Sequence, residues 1–271
     1  MVSEGIGVPR IDPAEVVKEI CGFVRNIVDG SGAGGVVLGL SGGVDSSVTA
    51  SLCVRALGSG GVLALIMPTE FTPKIDVEDA VELARRLKIK HKLIWVDGVL
   101  RSFLEVLPYK QGEQAYRMPR ANLIARVRMC MLYYYANLMH LLVAGSGDKS
   151  ELLLGYYTKH GDGGVDLLPI GHLYKSQVRL LAEWLGLPRR IAYKPSSPQL
   201  YPEHRAVDEL PADYPVLDRV LTGLFELRLE PGEVARRLKV PEGLILEVVN
   251  RYRSTAHKRR MPPMVKPLPT L

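Results

Sequence analysis

Residues 35–51 read Gly35-Val-Val-Leu-Gly-Leu-Ser-Gly-Gly-Val-Asp-Ser-Ser-Val-Thr-Ala-Ser51, an apolar run that ends in a glycine-serine turn and passes into a helix. Gly42 and Gly43 carry no Cβ, so positive φ is open to both and their amides can approach an anion closely. Ser46 and Ser47 fall where the helix begins, and unpaired amides there favour phosphate together with the helix dipole. Asp45 in the same turn would repel phosphate unless a cation lay between them, so it is read as a Mg²⁺ ligand. The stretch therefore predicts a metal-chelated nucleotide. It has no Gly-Lys-Ser/Thr ending and no G-x-G-x-x-G, so the two common glycine-rich nucleotide loops do not fit.

Around this turn, apolar β-rich runs at 35–40, 62–67, 92–96 and 141–144 alternate with helical spacing around 16–27, 47–57, 77–87 and 123–139. That alternation predicts an α/β fold, a Rossmann-like parallel sheet flanked by helices. Ligands in such folds collect beyond the carboxyl ends of the strands, which brings Gly145-Ser146-Gly147-Asp148 to the same crevice as the glycine turn. Residues 155–166 are rich in glycine, tyrosine and charge and read as an ordered functional loop. Residues 176–185 read as a helix, 195–215 as a proline-dense connection, and 216–252 as two or three additional C-terminal helices.

At 271 residues the chain is long enough to bury a sizeable core, and its formal charge of +6 suits anionic ligands. Cys21, Cys53 and Cys130 lie far apart and form no Cys-x-x-Cys pair, so they read as buried thiols. The histidines show no metal-ligand spacing, and Trp95 and Trp184 are expected to pack in the core. The first residues have no apolar segment behind a basic start, and no apolar run reaches membrane-spanning length. A cytoplasmic protein with no membrane partner is expected.

The turn resembles the Ser-Gly-Gly-x-Asp-Ser loop of the ATP pyrophosphatases. Three further segments occur in order: Ala121-Asn-Leu-Ile-Ala-Arg-Val-Arg-Met129, Gly155 through Asp166 with Leu167-Leu168-Pro169, and His257-Lys258-Arg259. With them the chain resembles the ammonia-dependent NAD synthetases from about residue 16 to 262. The resemblance implies that deamido-NAD attacks the α-phosphate of ATP, forms an acyl adenylate with loss of pyrophosphate, and is amidated by ammonia with loss of AMP. This is the last step of NAD biosynthesis.

Carried over by motif, Gly39, Leu40, Ser41, Gly42, Gly43, Val44, Asp45, Ser46, Ser146, Lys175 and Ser196 would bind ATP. Asn122, Arg126, Lys159, Asp166, His257 and Lys258 would bind deamido-NAD. Asp45 and Glu151 would hold Mg²⁺ and, with Lys175, form the catalytic set. Asn122 and Arg126 stand four residues apart, so a helix puts both on one face while Arg128 points elsewhere. The family implies a homodimer, with the tyrosine-rich helix around Tyr133, Tyr134 and Tyr135 as the contact surface. The chain is expected to be one synthetase domain over 1–271 without a glutamine amidase domain, which makes ammonia the donor. Missing cysteine pairs and RNA-binding additions argue against the tRNA-modifying relatives, and the pair Asp45 and Glu151 argues against a binding module without turnover. The chain departs from the family at Tyr201, where tryptophan is usual, at Glu70-Phe71, and at Glu203-His204-Arg205-Ala206-Val207, which leaves the closure of that loop open.

Overall fold

The computed structural model describes residues 5–197, 200–201 and 204–265. The first helix, α1 (Pro13–Ser31), starts where the Asp12 carboxylate accepts the amides of Ala14 and Glu15, and it ends at Gly32 with φ of 70°. Strands β1 (Val36–Gly39), β2 (Val62–Ile66), β3 (Lys90–Leu93) and β4 (Leu142–Val143) form one parallel sheet in the order β3-β2-β1-β4. Between them run α2 (Val44–Leu57), α3 (Lys74–Arg86), α4 (Asp97–Val106) and α5 (Arg117–Met139).

The period-two alternation of strand side chains divides the core. Val36 and Leu38 of β1 join Val62, Ala64 and Ile66 in a cluster with α1, α2 and α3, whereas Val37, Leu63 and Leu65 face Leu100 of α4 and Ile124 and Val127 of α5. Beyond β4 come α6 (Lys149–Leu154), α7 (Lys175–Trp184) and α8 (Arg189–Ala192). They are followed by α9 (Tyr214–Leu221), a π-helical turn over Thr222–Glu226, α10 (Pro231–Leu238) and α11 (Glu242–Ser254). The last helices build their own core from Leu217, Val220, Val234, Ile245 and Val248, closed by Ile6 from the start of the chain. The α/β class and the additional C-terminal helices are as the sequence predicted.

Four local expectations are corrected. The third strand is Lys90–Leu93, earlier than expected, because it is a largely exposed, polar edge strand that carries no apolar run. The apolar residues read as that strand are its exit, where Ile94 and Val96 still donate to the carbonyls of Ile66 and Pro68. Helix α4 had not been anticipated. Trp95 and Trp184 are 55% and 44% exposed, the latter under the Arg55 guanidinium, and Cys130 is exposed. Of the departing loop, Pro202 and Glu203 lie outside the described residues. Among the described residues no helix is long and apolar enough to cross a membrane.

Candidate active site

A crevice of about 720 Å³ opens at the carboxyl ends of β1, β2 and β4. The turn after β1 forms its floor. Gly42 has φ of 78°, and a Cβ there would stand 2.3 Å from the carbonyl oxygen of Asp76, so only glycine fits. Gly43 has φ of −85°, which corrects the expectation that both glycines use positive φ. The Ser46 hydroxyl donates to the Gly43 carbonyl and accepts from the Ser41 amide, tying the turn to the first turn of α2. No side chain caps α2. Its leading amides are therefore open to an anion. Lys194, at the border of the crevice, binds the Gly42 carbonyl at 3.0 Å and Asp76 and Asp79 at 2.8 Å each through Nζ, clamping the turn against α3.

Helix α6 starts at the same crevice in the opposite manner. Asp148 accepts the Glu151 amide at 2.8 Å and Glu151 reaches back to the Asp148 amide, a closed capping box. Beneath it lies Lys175, fully buried at the start of α7, with Nζ 2.7 Å from Asp45, 3.0 Å from Asp148 and 2.9 Å from Glu151. Burial works against the ammonium, but the three carboxylates outweigh it and hold its pKa well above the usual lysine range. The acids bear the cost of this crowding. Burial pushes Asp148 up to about 6 and Glu151 well above an ordinary glutamate, with Lys175 only partly offsetting it.

Three carboxylates around one ammonium leave a formal excess of two negative charges, and Asp45 Oδ1 is buried with no hydrogen-bond partner. A divalent cation satisfies both conditions. Among the described residues no group of three His, Cys, Asp or Glu side chains is arranged to hold a metal alone. That fits Mg²⁺, which takes one or two carboxylates and completes its shell with phosphate and water.

Asp45 and Glu151 are thus brought together with Lys175, and the crevice is also bordered by Gly39, Leu40, Ser41, Gly43, Val44 and Ser46, by Ser146 and by Ser196. Gly42 does not border the crevice itself, and its carbonyl accepts from Lys194 Nζ. Of the residues expected at the dinucleotide, Asn122 and Lys258 border the crevice. Asn122 accepts the Thr158 hydroxyl at 2.7 Å, and Lys258 holds the carbonyls of Gly155 and Tyr157 at 2.6 Å each. Arg126, Lys159, Asp166 and His257 do not border it. Arg126 is exposed, 3.4 Å from the Lys159 carbonyl, and Asp166 accepts Tyr133 at 2.9 Å and the Val143 amide at 2.7 Å.

Arg128 corrects the reading from helical spacing. It borders the crevice and donates from Nε to the Met67 carbonyl at 3.0 Å, with burial lowering its pKa to about 10. Lys194, Asp162 and Tyr214 border the site without having been singled out, since none stands in a spacing that separates it from a surface or core residue. Just past the departing stretch, Glu209 accepts the hydroxyls of Tyr156 at 3.0 Å and Tyr201 at 2.6 Å and lies 3.1 Å from His204, which stacks on Tyr201.

Residues 16–262 match the family model described as NAD synthase. The chain is 49% identical to the NH(3)-dependent NAD(+) synthetase of Hyperthermus butylicus over 96% of this chain and 94% of that protein. Among solved structures it is similar to the NMN synthetase from Francisella tularensis, with TM-score 0.82, 30% identity, and coverage of 94% of this chain and 99% of that one. It is also similar to the NH3-dependent NAD synthetase from Campylobacter jejuni in complex with nitrate, with TM-score 0.78, 33% identity, and coverage of 95% and 100%.

Proposed function

Because this chain belongs to the NAD synthase family, we propose that its crevice activates the nicotinate carboxylate of deamido-NAD with ATP and delivers it to ammonia. The protein is a ligase that forms a carbon–nitrogen bond. One observation carries the assignment of the site: an uncapped helix start and an acid cage with an orphaned carboxylate oxygen face the same crevice.

In the first step a carboxylate oxygen of deamido-NAD bonds to the α-phosphorus and the bond to the bridging oxygen breaks, releasing pyrophosphate. In the second, ammonia bonds to the acyl carbon, AMP leaves with the bond electrons, and the nitrogen loses a proton. Neither step needs a nucleophilic side chain. The chain's work is to hold two polyanions in line and to place donors where charge develops. The open amides of α2 receive the phosphates, and Lys175 is a fixed charge rather than a base, because its carboxylates keep it protonated. Mg²⁺ held by Asp45 and Glu151 would neutralise the leaving pyrophosphate. Ser146 and Ser196 offer hydroxyls beside it.

The proposal includes a homodimer. Tyr134 and Leu138, one turn apart on α5, are 65% and 62% exposed, and Phe103 and Val106 on the adjoining α4 are 45% and 79% exposed. Arg126, Lys159, Asp166 and His257, which lie outside the crevice of one chain, would then take the rest of the dinucleotide near the second copy. A single synthetase domain in a cytoplasmic setting completes the reading, supported by a family match over residues 16–262.

The test mixes purified protein, Mg-ATP and deamido-NAD or its mononucleotide counterpart with ammonium or glutamine. Equal amounts of NAD, AMP and pyrophosphate are expected from deamido-NAD and ammonium. Preference for the mononucleotide, which similarity to an NMN synthetase makes the second reading, would move the substrate assignment. ADP as product would refute the adenylation chemistry.

A further inference from the structure

Among the described residues the buried hydroxyls of Ser47, Thr49, Ser176, Ser196 and Tyr214 make no hydrogen bond, and that of Tyr214 stands at the acid cage. Tyr214 opens α9, is 4% exposed, and borders the crevice with Asp45, Glu151 and Ser196. Its ring lies against Lys175, whose Nζ is 5.0 Å from the ring centroid. Its hydroxyl is buried and makes no hydrogen bond. The ring is held there by the same helix one turn on. Asp218, fully buried, accepts the Ser150 hydroxyl at 2.6 Å and the Ser176 amide at 2.8 Å, locking α9 to α6 and α7 on either side of the cage.

A buried hydroxyl left unpaired is destabilising, and phenylalanine would fill the same space without that cost. The ring alone accounts for packing and for the contact with Lys175. The hydroxyl calls for a partner that arrives with a ligand. Beside it Asp45, Asp148 and Glu151 gather on Lys175, so an arriving partner must complement both the open α2 amides and the cage. A metal-bound triphosphate does so.

We propose that the Tyr214 hydroxyl donates a hydrogen bond to an anionic oxygen of the metal-bound triphosphate, on the portion that departs as pyrophosphate. This rests on the adenylating reading of the crevice. Tyr214 is then a catalytic residue that strengthens its hold as charge builds on the leaving group, distinct from the ammonia step.

The test is Tyr214→Phe, which keeps the ring on Lys175. Without ligand the variant is expected to melt at or above the wild-type temperature, since only an unpaired hydroxyl is removed. The thermal shift caused by Mg-ATP should shrink. The deamido-NAD-dependent exchange of labelled pyrophosphate into ATP should slow about 10- to 100-fold, the range for losing one donor to a charged group, while the KM for ammonium stays unchanged. Wild-type exchange and an unchanged Mg-ATP shift would overturn the proposal, as would a raised KM for ammonium with exchange intact. If wild-type protein makes no NAD yet Tyr214→Phe alone loses the Mg-ATP shift, Tyr214 keeps its role and the substrate assignment fails instead.

Discussion

Two helices begin at one crevice and begin differently. Helix α2 starts on Gly43 with no side-chain cap, whereas α6 starts on Asp148 inside a complete capping box. The bare start leaves its amides and dipole for an anion brought from outside. The capped start engages its amides with its own acids, whose other faces crowd a buried lysine. In the proposed function, one start would seat the phosphate and the acids of both would seat the cation that travels with it.

The largest effect is expected from Lys175→Met. Removing the ammonium leaves three carboxylates without their buried partner, which costs about 3–5 kcal/mol by analogy with broken buried pairs. Calorimetry should show that loss and part of it should return on adding Mg²⁺ alone, while NAD formation falls below detection. Next comes Gly42→Ala, which puts a Cβ 2.3 Å from the Asp76 carbonyl oxygen at positive φ. A loss of about 1–3 kcal/mol in chemical denaturation and at least a tenfold rise in the KM for ATP are expected.

Gly43→Asp attacks the comparison directly by giving α2 the cap it lacks. A Cβ at Gly43 would meet only the Ser41 hydroxyl, at 3.4 Å, so the fold should accept it and gain a few tenths of a kcal/mol. Calorimetric titration should nevertheless show ATP binding weakened about tenfold or more, because a carboxylate now holds the amides.

The difference between the two starts also has a pH signature. Asp148 has its pKa raised by burial from 3.8 to about 6, so the folded state binds its proton more tightly than the unfolded state. Its contribution to stability is therefore fully present below about pH 4 and is lost as pH rises through about 6. Asp148→Asn should flatten that part of the stability curve measured without metal, and saturating Mg-ATP should flatten it in the wild type. The smallest effect is reserved for a helix start remote from this chemistry. Lys74→Ala removes an exposed i,i+4 pair with Glu78 at the start of α3 and should change stability by no more than about 0.5 kcal/mol.

What the sequence disclosed follows the same division. The glycine turn was legible because its function is backbone conformation, and glycine at a strand-to-helix junction advertises it. The place of Asp45 at the crevice was legible because an acid in a turn suited to phosphate stands out, while its hold on a cation belongs to the proposal. The meeting of Asp45, Glu151 and Lys175 could be placed only through family resemblance, since 130 residues separate the Asp45 and Lys175 that touch. Arg128 was turned away from the site, and Tyr214 escaped notice, because helical spacing tells which residues share a face but not which face borders a crevice. Lys194 escaped because its partners, the Gly42 carbonyl and two acids of α3, are set by tertiary packing. The polar edge strand and α4 were missed for a related reason: β3 buries little and so has no apolar signature.

The proposed chemistry depends most on where the cation sits. Crystals grown with Mn²⁺ and a non-hydrolysable ATP analogue would locate it by anomalous scattering. The predicted peak lies within coordinating distance of the Asp45 and Glu151 carboxylates and the triphosphate, with the phosphates against the first turn of α2. A peak bound to the triphosphate alone, with both carboxylates still closed on Lys175, would contradict it.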